Sequence, residues 1–268
     1  MSAIVNIVNS YRSEWILLNR RRMWMVMGAT TVAFTVLATI VTLATAEDVV
    51  GGDNVGFALS SLVGSGGATA AVVFSIAFSS ILVLAAFASS TGNEFGRGTL
   101  RSALTRQPNR SALIAGKLGA RVTVASILML TGLAIGALTS AIYAPTQDIS
   151  TDGWFDGAAF TAAVEDYGRL VAFVVMYALI GTTIAVLVKS TPVALGIGLL
   201  WFGPIENVIG ENREFAERWF PGLVLRSLTQ PDAPDALSTG TALATLGVYA
   251  AVCVAVIGVV LKRRDVTA

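Results

Sequence analysis

The sequence predicts an all-α membrane protein with six transmembrane helices and an N-terminal helix at the membrane surface. Three observations predict this class. Hydrophobic residues make up 54% of the chain and charged residues only 13%, and the mean hydropathy is +0.73, whereas a soluble domain carries about 25% charged residues. Uncharged runs long enough to cross a bilayer core, about 20 residues, recur along the chain. The Lys and Arg residues are concentrated between alternate runs.

Composition excludes several kinds of site. The chain has no histidine and one cysteine, Cys253, which excludes a disulfide framework and most zinc or haem sites. A Ser-His-Asp triad is impossible, and no paired carboxylates lie inside the predicted spans. We therefore expect no catalytic residue, no metal site and no cofactor in this chain. The net charge of +1 predicts no nucleic-acid partner.

The first 22 residues predict an amphipathic helix at the membrane interface. Apolar residues recur at offsets of four and three, the pattern of one helix face: Ile4, Val8, Tyr11, Trp15 and Leu18. Three arginines, Arg20 to Arg22, directly precede the uncharged run 23–46, which is the first predicted span. A soluble helix that packs on a partner is the alternative, but arginines beside a span favour the interface.

The second span is predicted inside a longer uncharged run. Residues 54–93 carry no charge and are too many for one crossing but barely enough for two. Because Gly64, Gly66 and Gly67 interrupt the run, we predict a span over 69–90 and an outer loop or short re-entrant piece over 54–67.

Four more uncharged runs complete the six spans. They are 122–144, 170–188, 191–205 and 236–261. A polar, acidic outer loop over 145–166 separates the first two, and a tight inner turn at Lys189 avoids placing that charge in the bilayer. Gly132 and Gly136 form a GxxxG pair, which suits packing within the chain or a dimer seam.

The charge distribution sets the orientation of these spans. With both termini in the cytoplasm, fourteen of the 18 Lys and Arg residues lie on the inner side. This is the positive-inside pattern. The chain shows no internal repeat or linker, so residues 1–268 are predicted to form a single membrane domain.

The inner segment between spans two and three has an ordered pattern. It reads EFGRGTLRSALTRQPNRSALIAGKL over 94–118, with a glutamate at the end of a span, a Gly-Thr-Leu turn, a short helix over 97–106 and a Gln-Pro break before a second helix. A plain topogenic basic loop would explain the arginines but not this order.

The segment resembles the first cytoplasmic loop of the ABC-2 family of ABC transporter permeases. The positions that match the family's loop are Glu94, Gly98, Thr99, Leu100, Pro108, Arg110 and Lys117. Arg97 and Arg101 lie between these positions in the same loop. In that family the loop carries the coupling helix that docks on the ATPase. The resemblance implies that these residues couple the chain to an ATPase. We expect Glu94 to hold a loop arginine or the helix N-terminus, and its loss or a Leu100→Asp change to uncouple rather than unfold the protein.

The resemblance also implies the architecture and the partners. The family has an interfacial N-terminal helix, six spans and an outer re-entrant element between spans five and six, here 206–235; the polar loop 145–166 is a departure. The chain lacks the phosphate loop GxxxxGK[ST], so ATP and Mg²⁺ belong to a separate chain. Two ABC ATPase subunits and a second permease, identical or homologous, are the expected partners, in a bacterial or archaeal cytoplasmic membrane.

The implied function is export of an amphiphile, such as a drug, lipid or peptide, taken largely from the bilayer. Six residues of spans two and five predict a mixed aromatic and hydroxyl surface for it: Phe74, Ser75, Phe78, Ser79, Trp201 and Phe202. Lipid-facing aromatic residues are the alternative explanation.

Two other functions remain open. An ion-coupled carrier usually places charged residues inside its spans, and the predicted spans contain none. The acidic residues of 206–217 and the pair Glu165 and Asp166 instead predict solvated helix faces. A membrane assembly or sensor protein without transport is the third possibility.

Overall fold

The computed structural model of the protein describes residues 3–46, 59–77, 79–210, 213–231 and 236–263. Within these ranges every regular element is a helix and there is no strand, so the predicted all-α class is confirmed. The α-helices are α1 (Ala3–Leu18), α2 (Arg21–Ala44), α3 (Gly67–Ala77), α4 (Ser80–Gly96), α5 (Thr99–Arg106), α6 (Arg110–Tyr143), α7 (Gly157–Val188), α8 (Thr191–Leu200), α9 (Glu214–Trp219), α10 (Pro221–Thr229) and α11 (Thr239–Arg263). Single 3-10 turns lie at Leu59–Leu62 and Ala144–Gln147, and a π-helix, Trp201–Ile209, continues α8.

The chain is a multi-pass membrane protein. Five helical stretches in the described ranges are long and apolar enough to cross a bilayer: α2, α6 with its 3-10 turn, α7, α8 with the π-helix, and α11. Helices α3 and α4 make a sixth if they form one span, and they are bent by 52°. Each helix that is long enough to cross the bilayer is uncharged over most of its length, as insertion into the bilayer requires.

The prediction that the second span is one continuous helix over 69–90 is wrong, because α3 and α4 are separate helices. The helix breaks near Ser79, whose hydroxyl donates to the carbonyl oxygen of Ile76 at 2.6 Å. Such a side-chain bond to the backbone competes with regular helix hydrogen bonds. Of the predicted outer piece 54–67, residues 54–58 lie outside the described ranges, and Leu62 is buried where its carbonyl accepts a bond from the Trp154 indole at 3.0 Å.

Three spans are longer than predicted. Helix α6 begins at Arg110 rather than 122, since the Asn109 side chain accepts from the backbone amide of Ala112 and caps the new N-terminus. Helix α7 begins at Gly157, capped in the same way by Asp156, so the predicted outer loop 145–166 ends ten residues early. The π-helix extends the fifth span from 205 to 209.

Helix α7 lies at the centre of the bundle. Its buried side chains, among them Leu170, Phe173 and Val174, form the main apolar core with α3, α4, α10 and α11. Close helix contacts use glycine: a Cβ on Gly136 would clash with Val72 of α3, and one on Gly132 would lie 3.2 Å from the hydroxyl of Thr35 in α2. The GxxxG pair therefore packs within the chain.

Candidate functional site

Four charged side chains from three helices meet at the end of the bundle that carries α5. Glu14 comes from α1, Glu94 from the end of α4, and Lys117 and Arg121 from α6. The Lys117 ammonium lies 2.9 Å from Glu94 and 3.5 Å from Glu14, while the Arg121 guanidinium lies 2.7 Å from Glu14 and also pairs with Glu94. We call these four residues the ion cluster.

The ion cluster is shielded from solvent. Its side chains are between 7% and 13% exposed. Arg121 also donates to the hydroxyls of Ser90 at 3.0 Å and Thr91 at 3.3 Å. Two carboxylates and two cations balance in charge, and this balance makes burial tolerable. The ion cluster therefore ties α1 and α4 to α6.

Sequence reasoning found two members of the ion cluster and missed two. Glu94 and Lys117 belong to the predicted coupling set. The Glu94 carboxylate pairs with Lys117 and with Arg121, an arginine that the sequence places between spans two and three, and the structure places both cations in α6. Among the described residues, Glu94 bonds to α5 through its backbone carbonyl, which accepts from the Thr99 hydroxyl at 3.4 Å. Two signals pointed to the missed residues: Glu14 is the first acidic residue of the chain, and Arg121 lies one helical turn after Lys117.

Helix α5 packs against the bundle through Leu100. A left-handed glycine, Gly98 with φ of 68°, turns the chain out of α4 into α5. Leu100 is only 2% exposed, and it contacts an apolar cluster from α6, α7 and α11: Leu113, Ile114, Val186, Ile257 and Leu261. This burial argues against the expectation that Leu100→Asp spares folding.

The opposite side of α5 is open and basic. The residues exposed on or beside it are Arg97, Gly98, Thr99, Arg101, Ser102, Thr105, Arg106 and Pro108. Three of these are arginines, and none is acidic. The short helix thus presents a positively charged face outward while its apolar side is held by the core.

The turn after α5 is hydrogen-bonded to the first helix, α1, and to the last helix, α11. The Ser10 hydroxyl of α1 donates to the side-chain oxygen of Gln107 at 2.5 Å, and the Gln107 amide donates to the carbonyl of Asn6 at 2.7 Å. Arg110 donates to the carbonyl of Leu261, near the end of α11, at 3.1 Å. Gln107 was not in the predicted coupling set. Of that set, Lys117 contacts α1, Leu100 contacts α6, α7 and α11, and Arg110 contacts α11.

Helix α1 turns its polar side inward. Ser10 and Glu14 are buried, and the Tyr11 hydroxyl donates to Thr123 of α6 at 3.1 Å. Ile4 and Val8 remain exposed. The outward surface of α1 carries Asn9, Arg12 and Ser13 beside these apolar residues, and such a mixed surface suits a helix that lies at a lipid interface.

The predicted substrate surface is only partly assembled. Phe74 and Phe202 line a cavity of about 310 Å³ between α3, α4, α7, α10 and the π-helix. The hydroxyls of Ser75 and Ser79 donate to the carbonyls of Val72 and Ile76 in α3. Trp201 is 37% exposed and donates its indole N–H to Glu206 at 2.7 Å. Phe78 lies outside the described residues.

Two acidic residues predicted to be solvated are buried. Glu206 is 2% exposed, lies within the fifth span and lines the cavity, with its Oε1 accepting from Trp201 and from the Gly222 amide at 3.1 Å. Asp166 is 6% exposed and accepts from Thr69 at 2.6 Å and from Arg169 at 2.8 Å. Helix extension carries both into the bundle, which the sequence boundaries did not show. Glu211 lies outside the described ranges, and Glu214 is exposed as predicted.

Comparison with known proteins gives one result. A family model described as protein of unknown function (DUF2705) matches residues 35–267. No curated protein matches the chain. The match begins in α2 and extends through α11, so it includes the cavity and three members of the ion cluster, Glu94, Lys117 and Arg121, while α1 with Glu14 precedes it.

Proposed function

We propose that this chain, which belongs to the family described as protein of unknown function (DUF2705), is the transmembrane permease subunit of an ATP-driven exporter of the ABC-2 type. The observation that carries the proposal is the outward basic face of α5 on a helix whose other side is buried through Leu100. A short helix that is fixed on one side and charged on the other suits docking to a partner.

The proposed topology has six spans and cytoplasmic termini. The bent pair α3 and α4 counts as span two, and α9 with α10 forms the re-entrant element between spans five and six. This assignment is supported by the charges at the two ends: Arg97, Arg101 and Arg106 lie at the α5 end, whereas the acids Asp148, Asp152 and Asp156 precede α7 at the other.

The proposed mechanism is mechanical coupling without chemistry in this chain. Two ATPase subunits bind ATP and Mg²⁺, close on each other and push on α5 of each of two permease subunits. Leu100 passes the movement to α7 and α11, and the Gln107 bonds and the ion cluster pass it to α1, α4 and α6. Rigid movement of helices of this kind switches transporters between inward-facing and outward-facing states.

The proposed cargo is an amphiphile that enters from the bilayer. The cavity supports this, since apolar and aromatic side chains line most of it while Glu206 and Asn207 add polar groups. Apolar side chains exposed on the candidate spans, such as Leu37 and Val248, contact lipid.

An ion-coupled carrier is the second candidate, and Glu206 favours it. A buried carboxylate inside a candidate span is the kind of group that binds a coupling ion. Export powered by a sodium or proton gradient in vesicles without ATPase would support the carrier. Export that requires ATP would exclude it.

The experiment isolates the tagged chain from its own host in nonionic detergent. We expect an ATP-hydrolysing subunit with a phosphate loop to co-purify in a one-to-one ratio with the permease. In proteoliposomes the complex should move a fluorescent amphiphile only with ATP and Mg²⁺. A chain that purifies without an ATPase and transports on an ion gradient would contradict the proposal.

A further inference from the structure

The cavity beside Glu206 has the features of a binding site for an organic cation. Its volume of about 310 Å³ is at the lower end of the range for ligand sites, about 300 to 1,000 Å³. It therefore fits the head of an amphiphile rather than a whole drug-sized molecule. Phe74 of α3 and Ser80 and Ile81 of α4 line it on either side of the break between these two helices.

Glu206 is a buried carboxylate with one oxygen left for a ligand. Both hydrogen bonds that it accepts, from the Trp201 indole and the Gly222 amide, go to Oε1. Among the described residues, no hydrogen bond reaches Oε2 and no basic side chain pairs with Glu206. A carboxylate held this way is stabilised by a cation, because a buried charge without a partner is unfavourable.

The backbone at Gly222 is shaped to this carboxylate. A Cβ at this position would clash with Oε2 of Glu206. Only glycine therefore lets α10 approach the carboxylate closely enough to donate its amide. Glu206 lies in a π-helix, and π-helical segments are rare and often occur at functional sites, which supports a binding role for this carboxylate.

The walls of the cavity are aromatic. Phe74, Phe173, Tyr177 and Phe202 line it. The ring centroids of Phe173 and Tyr177 are 4.7 Å apart and those of Tyr177 and Phe202 are 5.2 Å apart, which makes a continuous wall. Aromatic faces within about 6 Å attract ammonium groups, and together with a carboxylate they select them over neutral groups.

We propose that this cavity binds the ammonium head of a cationic amphiphile, with Glu206 as counter-ion and the aromatic wall around the head. Arg226, exposed and lining the cavity, disfavours a second positive charge on the same ligand. The ligand class is therefore a monocation. The proposal rests on the proposed function only in taking this ligand to be the exported substrate.

The test measures binding to the purified full chain in nonionic detergent micelles by isothermal titration calorimetry. The probes are hexyltrimethylammonium, hexanol and hexanoate, which share one chain length and differ in charge. We expect one hexyltrimethylammonium to bind per chain, with at least about tenfold weaker binding of the other two. Glu206→Gln keeps an oxygen that accepts the bonds of Trp201 and Gly222 but removes the charge, and it should weaken cation binding about tenfold or more.

Two further variants isolate the cause. Glu214→Gln makes the same chemical change on an exposed residue that does not line the cavity and should leave binding unchanged. Phe74→Leu keeps the wall apolar but removes an aromatic face, and should weaken the cation several-fold without affecting hexanol. No cation binding to the folded chain, or equal binding to Glu206→Gln, would overturn the proposal. Because no ATPase is present, this result is separate from whether ATP drives export.

Discussion

Glu94 at the end of α4 and Arg121 in α6 form an ion pair, and Glu14 of α1 pairs with the same guanidinium. One arginine thus connects two helices to a third. Since the sequence separation is 27 residues on one side and 107 on the other, the arrangement is a tertiary contact that forms only when α1, α4 and α6 are assembled.

Breaking the ion cluster should destabilise the folded protein. Glu94→Gln leaves Lys117 and Arg121 with one carboxylate, and we expect a loss of stability of about 3 kcal/mol, the lower end for a buried pair because the side chains are slightly exposed. Thermal unfolding in detergent measures it. Glu214→Gln, exposed on α9, should change stability by less than about 0.5 kcal/mol.

The charge balance in the ion cluster gives a second test of the same contacts. Adding Lys117→Met to Glu94→Gln restores equal numbers of acids and bases, so the double variant should lose less stability than the sum of the single variants by about 0.5 to 3 kcal/mol. Strict additivity would mean that Lys117 and Glu94 do not interact in the membrane.

Leu100→Asp should prevent folding rather than uncouple a folded protein. Leu100 is 2% exposed in an apolar cluster, and losing its side chain while burying a carboxylate costs at least about 3 kcal/mol. We expect loss of the monodisperse peak in size-exclusion chromatography. Thr105→Asp, on the exposed side of the same helix, should behave like the parent; a folded Leu100→Asp protein would contradict the buried position of Leu100.

Glycine to alanine changes should have opposite signs at two positions. Ala in place of a helix-interior Gly stabilises by about 0.5 to 1 kcal/mol where space allows, and nothing lies within 4 Å of a Cβ on Gly28 of α2. A Cβ on Gly116 would lie 2.5 Å from Ile7 and Ser10 of α1. Gly28→Ala should therefore raise the unfolding temperature and Gly116→Ala should lower it. Equal effects would mean that α1 does not pack on α6.

The proposed orientation is tested by cysteine labelling in a Cys253→Ala background. Arg101 and Asp152 are both exposed, at opposite ends of the bundle. With the α5 end in the cytoplasm, a membrane-impermeant maleimide should label Asp152→Cys in intact cells and Arg101→Cys only after permeabilisation. The reverse pattern would place α5 on the outer side of the membrane, where no ATP is available, and would contradict its role as a coupling helix.

Local signals predicted much of the helical path. The Gln107 and Pro108 break, the second helix after it and the arginines before span one all follow from short-range chemistry. The continuity of α6 from Arg110 into span three was missed because Lys117 and Arg121 read as charges outside the span. They are helical because Glu14 and Glu94 neutralise them, and partners so far along the chain leave no local pattern.

The residues of the candidate sites also fall into two groups, those that local sequence signals predict and those that depend on tertiary packing. The basic residues around α5 could be identified from the sequence because they interrupt uncharged runs. The inward direction of Leu100 and the burial of Glu206 depend on how α5, α10 and the π-helix pack, which neither charge nor periodicity records. The contacts of Asn207 also could not be predicted from the sequence. Its side-chain amide donates to the carbonyls of Phe202 and Gly203 inside a π-helix that contains a proline.

The most direct test of the account reverses the charge of the face around α5. Arg97→Glu with Arg106→Glu alters two exposed residues there, and Arg213→Glu with Arg218→Glu makes the matched change at the other end of the bundle. The measurement is ATP-dependent export by the purified complex in proteoliposomes, with the amount of bound ATPase determined in the same samples. We predict that the first pair loses both the ATPase and export while its unfolding temperature stays unchanged, and that the second pair keeps both. Full ATPase binding and export by the first pair would contradict the assignment of α5 as the coupling helix.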